Sequence, residues 1–434
     1  MKHLIVVSID ALVYEDLEYA RTLPAFSEIM NRAAIIERVR TIYPSLTHPV
    51  HATLLTGAPA GVHGIVNNYA HNSLDVSSGE WYNHLSDIKC DTLLHAAKRA
   101  GLTTAASTWP LTCCGGDVID YLVPGMMNYY FDTCGGDILS AYRDKGASDA
   151  VMPIIEEGIR RFGHLDEHPS VDEFQIFCAS EIFKRYKPNL MLIHPGHVDH
   201  MRHISGVFSD EVKKAVRLTD EWLSGLISAV KEVGLWDKTD IVLLSDHGQI
   251  NITRSISPNV YLAKEGLISC DDDGRITSYL AFCKSAGASA QVYLAHPDDT
   301  ALKRRVYDIL KSLCDEGVYG ISRVFTEKEA RVEFSLFGDF SFVLEGDGYT
   351  SFGEWVSPPA VKGYDLTDYR FGRATHGHLP TLGPQPTFIG RGPSFRAGKT
   401  VPTGDILNHA PTLARLLGTE LFDAVGVAVD EILN

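Results

Sequence analysis

The sequence predicts an α/β protein: a doubly wound, mostly parallel sheet with helices on both faces, plus a small inserted α+β subdomain. Two observations carry the main fold. Short apolar runs that suit buried strands recur along the chain, and stretches with helical spacing lie between them. A third, a change to short, Gly- and Asp-punctuated runs between about 260 and 370, marks the insertion.

The strands come first. LIVVSI at 4–9, LMLIHP at 190–195, DIVLLS at 240–245 and PTFIG at 386–390 read as buried parallel strands, because a strand covered on both faces is apolar on both. The plainest helix spans 210–233, where Val212, Ala215, Val216, Trp222, Leu223, Leu226, Ile227, Val230 and Val233 recur at three- and four-residue intervals. DILNHAPTLARLLG reads as a closing helix that Gly418 stops. Within the insertion SAQVYLA, ARVEFSLFG and SFVLEGDGY read as strands and 299–316 as a helix. The expected division is a main domain over 1–260 and 371–434, with 261–370 inserted.

Composition narrows the function. A formal net charge of −16 argues against a polymeric nucleic-acid partner, whose phosphates it would repel. No uninterrupted apolar run of about 18 residues occurs, so no membrane association is expected. MKHLIVVSIDAL reads as a first strand, without a cleavage pattern behind it. Cys90, Cys113, Cys114, Cys134, Cys178, Cys270, Cys283 and Cys314 are scattered without a CxxC pair, so reduced thiols and a cytoplasmic location are expected.

Three strands deliver chemistry at their carboxyl ends, where the loops of an open α/β sheet diverge into a crevice. The first ends at Asp10, the second leads into GHVDHMRH, and the third ends in Asp246 and His247. Asp199 and His203 are four positions apart, so one helical turn puts both on one face. Such Asp and His sets suit zinc, and two of them suit a pair of ions. RATHGHLP offers His376 and His378 as further donors. Thr47, in YPSLTHPVHATLLTG, has two readings: a turn or helix cap, or a nucleophile whose alkoxide a divalent ion stabilises.

Taken in order, Asp10, Thr47 in YPSLTHPVH, HGIVNN, Asp199 with His203, SDHG and THG resemble the alkaline phosphatase superfamily, and within it the nucleotide pyrophosphatase/phosphodiesterase family. LTHPVHATLLTGAPAGVHGI keeps the family's threonine, Pro49, His51, Thr56–Gly57 and His63–Gly64–Ile65. The resemblance implies an alkaline phosphatase-like fold and hydrolysis of a phosphodiester or phosphoanhydride through a phosphothreonine at a two-zinc site, with other divalent transition metals able to serve. It implies one zinc on Asp10, Thr47, Asp246 and His247, and the other on Asp199, His203 and His376. Asn68, with Asn67 as fallback, is implied as the amide donor to a phosphoryl oxygen. His48, Asn68 and Trp109 of STWP are implied substrate contacts, for a small phosphoester such as a nucleotide.

Two departures bear on specificity. His48 stands where the family usually has Phe, with Val50 in place of the following Asn, so base recognition is altered; PGHVD also adds residues between Pro195 and Asp199. The alternatives with the same residues are a phosphonate hydrolase of the phosphonoacetate hydrolase kind and a phosphomonoesterase, for which Arg202 and Arg373 are the available cations. A phosphomutase and a non-catalytic metal-binding protein complete the set.

Overall fold

The computed structural model describes residues 2–72, 80–125, 136–163, 165 and 167–434; Cys134 lies outside them. Strands β1 (His3–Ser8), β2 (Ala34–Arg40), β3 (Thr104–Ser107), β4 (Tyr121–Val123), β5 (Leu190–Ile193) and β6 (Thr239–Leu244) enter one sheet. β7 (Ala281–Ala286), β8 (Ser289–Leu294), β9 (Ile321–Thr326) and β10 (Phe342–Gly346) form a second, and β11 (Phe388–Arg391) and β12 (Thr400–Asp405) return to the first. The main sheet runs β12-β2-β11-β6-β1-β5-β3-β4. β1 is parallel to both β5 and β6, so the three ends predicted to carry chemistry are neighbours.

β11 corrects the reading of 386–390 as a parallel strand: it runs antiparallel to β6 and to β2. Its first residue, Phe388, pairs with Leu244, the last of β6. The chain therefore re-enters the sheet at the carboxyl end of β6 and runs back. A parallel entry would need a crossover, and the segment before β11 is a loop.

Alternate residues of the same strands enter opposite cores. Leu4, Val6, Leu192, Val242 and Leu244 pack on one face, and Ile5, Val7, Met191, Ile193, Ile241 and Leu243 on the other. Both faces are thus covered, which explains why these strands read as continuous apolar runs. The helices that matter below are α1 (Thr47–Thr56), α2 (Ser170–Tyr186), α3 (His197–Ser205), α4 (Asp210–Glu232), α5 (Thr300–Asp315), α6 (Glu327–Phe334) and α7 (His409–Leu417). α4 buries Val212, Ala215, Val216, Leu223, Leu226, Ile227 and Val230, the stripe its spacing predicts. α7 ends at Gly418, whose φ of 72° is the left-handed conformation glycine adopts without a Cβ penalty.

The second sheet is antiparallel, ordered β7-β8-β10-β9. Leu302, Val306 and Leu310 of α5 share a core with its Phe282, Val292, Phe342 and Leu344. ARVEFSLFG is not a strand. Most of it lies in α6, because Thr326 and Glu329 form a capping box: Glu329 N–H donates to Thr326 Oγ1 at 3.3 Å, and the Glu329 carboxylate accepts from Thr326 N–H at 2.8 Å. That local signal outweighs the β-leaning composition. Among the described residues no helix is long and apolar enough to cross a membrane.

Candidate metal centre

Bends after β1 and β6 aim their acidic residues at one point. Asp10 N–H donates to Pro195 O at 3.0 Å, which ties the exit of β1 to that of β5. Ala11 N–H donates to Asp246 Oδ1 at 3.2 Å, and Thr41 Oγ1 donates to Asp246 O at 2.8 Å, so the bend after β6 is held from two sides. The result clusters around His247. Its Nε2 lies 3.5 Å from Asp10 Oδ1, 3.2 Å from Asp246 Oδ2 and 3.2 Å from Thr47 Oγ1.

Thr47 is the first residue of α1, and the N-cap is Leu46, with no side-chain cap bond. Its hydroxyl is therefore not spent on capping and faces His247. His51, one turn on, links to Thr47 O at 2.8 Å through Nδ1 and to Ser8 Oγ at 2.9 Å through Nε2, anchoring α1 to the end of β1.

The second set sits on α3 and on the loop before β11. His203 Nε2 is 3.3 Å from Asp199 Oδ2, and His376 Nε2 is 4.0 Å from Asp199 Oδ1. Backbone carbonyls set both rings: His203 Nδ1 donates to Ala374 O at 2.8 Å and His376 Nδ1 to Ser45 O at 3.1 Å. Each ring then turns its Nε2 edge toward the acid, the edge from which metal-binding imidazoles ligate. Two groups of ligand atoms, Asp199–His203–His376 and Asp10–Asp199–His247, each fall within 4.8 Å of one another. Asp199 belongs to both, whereas the resemblance assigns it to one.

The donors fit divalent cations. Asp10 Oδ1 and Asp246 Oδ2 are buried without a hydrogen-bond partner, an arrangement that costs several kcal/mol for an ionised carboxylate unless a cation neutralises it. Burial, then the charges of Asp199 and Asp246, push Asp10 well above the carboxylate range; burial likewise pushes Asp246 to about 7. Burial also opposes ionisation of Asp199, but His203, followed by His376 and His247, outweighs it and holds that acid low. Burial keeps His247 well below its ordinary value and His376 at about 4, so both rings are neutral, as ligands must be. Two imidazole-and-carboxylate sets suit divalent metal ions.

The other predicted residues lie around this centre. Asn68 Oδ1 accepts from the His48 N–H at 2.9 Å, which puts the amide beside the start of α1. Asn67 is committed elsewhere, donating to Ser285 O at 3.0 Å and to Gln291 Oε1 at 3.2 Å. His48 is only 4% exposed and packs on Trp81, ring centroids 4.8 Å apart, with Tyr69 against Trp81 at 4.4 Å. Trp109 is 1% exposed and meets His51 edge to face at 5.0 Å. That is a core position, packed behind His51. His378 turns away: its Nε2 donates to Leu382 O at 3.1 Å, closing the loop beyond His376.

Neither arginine reaches the centre. Arg202 is buried, donating to Ala11 O at 3.0 Å, to Val207 O and to Asp16. Arg373 lies over the Tyr364 ring at 5.2 Å. Gln249 joins the centre: its Nε2 donates to Asp199 Oδ1 at 2.5 Å and to Asp199 O at 3.1 Å, orienting the shared acid. Nothing in the sequence distinguishes it from any glutamine after a strand.

A model of the family described as type I phosphodiesterase / nucleotide pyrophosphatase matches residues 4–335. The chain is similar to ectonucleotide pyrophosphatase/phosphodiesterase family member 1 of Rattus norvegicus, 26% identical over 257 residues, covering 57% of this chain and 24% of that protein. Family member 5 of Homo sapiens is 26% identical over 312 residues, covering 69% and 56%. The chain thus spans about a quarter of the first relative's length and just over half of the second's. The solved structure of human family member 5 superposes with a TM-score of 0.70 at 20% identity, and that of an inactive murine family member 5 in complex with AMP with 0.70 at 18%; both cover 100% of each chain. The α/β fold is theirs.

Proposed function

The chain belongs to the type I phosphodiesterase / nucleotide pyrophosphatase family, and from that premise we propose that it hydrolyses phosphodiester or phosphoanhydride bonds of small molecules, nucleotides among them, through a phosphothreonine at Thr47. The observation that carries this reading is the Thr47 hydroxyl, 3.2 Å from His247 Nε2 and not used as a helix cap.

Two divalent ions, zinc by donor chemistry, would be held by Asp10, Thr47, Asp246 and His247 and by Asp199, His203 and His376; when bound they stabilise oxyanions and favour the ionised forms of a hydroxyl and a water. Thr47 Oγ1 forms the new bond to phosphorus as the bond to the leaving oxygen breaks, and water later releases the phosphoryl group and restores the hydroxyl. Thr47 opens α1, whose amide dipoles favour an anion at that end. Asn68 has its oxygen engaged by His48 N–H, which turns its NH₂ outward as a donor to a non-bridging oxygen. We also assign this chemistry to a main domain of residues 1–260 and 371–434, with 261–370 as an inserted subdomain.

Arg202, buried on Asp16, is not available for the second charge of a monoester, and Arg373 lies over the Tyr364 ring, so a diester is favoured. A second reading, cleavage of a small phosphonate, draws support from His48, which is buried against Trp81 and offers little surface to a nucleobase. The test compares p-nitrophenolate release from bis(p-nitrophenyl) phosphate with phosphate release from phosphonoacetate. Thr47→Ala should lower diester turnover by at least about 10³-fold while metal content holds. Unchanged turnover removes Thr47 as nucleophile, and preference for phosphonoacetate selects the second reading.

A further inference from the structure

The centre described above leaves a third cluster of ligating side chains unused. His168 precedes α2, Asp172 lies in its first turn, and His197 is the first residue of α3. One ligand atom from each falls within 4.8 Å of the others. We propose that His168, Asp172 and His197 bind an additional divalent transition-metal ion, zinc or a borderline neighbour such as cobalt or nickel, which pins the start of the helix carrying Asp199 and His203.

Asp172 is fully buried, and its two oxygens are differentiated. Oδ1 accepts from Gly196 N–H at 2.7 Å, His197 N–H at 3.2 Å and Gln175 Nε2 at 3.1 Å. Oδ2 faces His168 Nδ1 at 2.5 Å. One oxygen thus fixes the carboxylate and the other is presented to the cluster, the division of labour seen in ligating carboxylates. His197 Nδ1 is buried with no hydrogen-bond partner, a donor or acceptor without an occupation.

Two imidazoles and a carboxylate with an open position suit zinc, cobalt or nickel and disfavour calcium and magnesium, which take oxygen ligands. Ligand atoms of a tetrahedral zinc with bonds near ~2.1 Å stand roughly 3.4 Å apart, so filling the site needs side-chain shifts of about 1 Å. Loading displaces the proton shared by His168 and Asp172, so one proton is released per ion. His197 and Asp199 are two positions apart on α3, about 200° around the helix, so this cluster and the catalytic crevice occupy different faces of it.

The experiment measures zinc bound per chain by elemental analysis after dialysis against micromolar zinc. His197→Phe keeps the ring beside Trp222 and removes the ligand without removing a side-chain hydrogen bond; His168→Gln removes a second ligand. Each variant should bind about one equivalent less than wild type. Combining His197→Phe with His203→Ala should subtract a further equivalent beyond His203→Ala alone. Equal zinc in wild type and both single variants, or a double variant that loses no more than His203→Ala, overturns the proposal. The count is independent of turnover, so failure of the phosphodiesterase reading would leave it standing.

Discussion

His376 stacks on His247, ring centroids 3.9 Å apart and planes 14° from parallel. One ring comes from the bend after β6, the other from the loop before β11, and each serves a different ligand group. Two cationic rings would repel at that distance; burial keeps both neutral. The stack therefore joins the two halves of the centre.

Replacing one ring tests that joint. His376→Phe should preserve the stack and a cooperative fold, with a modestly lower melting temperature from the lost ion and the lost bond to Ser45 O, and should lose about one equivalent of zinc, with diester turnover falling at least about 10²-fold. Elemental analysis beside a thermal melt separates the outcomes. A variant that keeps its full zinc would remove His376 from the ligand set.

Arg202 holds the turn that follows Asp10, donating to Ala11 O. It is buried, and it is the charge partner of the nearly buried Asp16, whose carboxyl burial raises and Arg202 pulls back down. Arg202→Leu strands that acid and should destabilise the fold by about 3–5 kcal/mol in urea unfolding, whereas changing Asp16 to Asn together with it should recover part of the loss.

Gly377 is required by the loop that presents His376. Its φ is +92°, and a Cβ there would lie 1.9 Å from Ala286 O in β7. Gly377→Ala should cost at least about 1–3 kcal/mol from backbone strain alone. It should also weaken zinc retention against a chelator, because relieving the clash moves His376.

Glu345 links β10 to the same loop, accepting from Leu379 N–H at 2.9 Å and from Tyr43 OH at 2.8 Å. Burial raises it from 4.5 to about 8, against the pull of those two bonds. The folded state then holds a proton that the unfolded chain releases near 4.5, so this contribution is complete below that pH and disappears as pH rises through about 8. Wild type should lose melting temperature across that window. Glu345→Gln, neutral throughout, should show a flatter profile; parallel profiles would refute the assignment.

Much of the centre was legible in the residues. Asp10, Asp199, Asp246 and His247 are announced by strands ending in acids, and His203 by its four-residue spacing from Asp199. Thr47 was ambiguous between cap and nucleophile, and only the identity of the N-cap, Leu46, resolves the cap reading against it. Gln249 and the cluster of His168, Asp172 and His197 had no local signal, because their meaning lies in partners on other elements.

Local periodicity, taken alone, determined the long elements of the main sheet and which strand ends carry acids, since both depend on neighbours a few residues apart, while at ARVEFSLFG a capping box overrode it. Tertiary structure decided the rest. The direction of β11 depends on where the chain re-enters the sheet, and the burial of Trp109 behind His51 on the packing of β3's exit against α1. The commitment of Arg202 to Asp16, 186 positions away, and the sharing of Asp199 between two ligand groups are likewise set by contacts that only the closed sheet brings within a few ångströms.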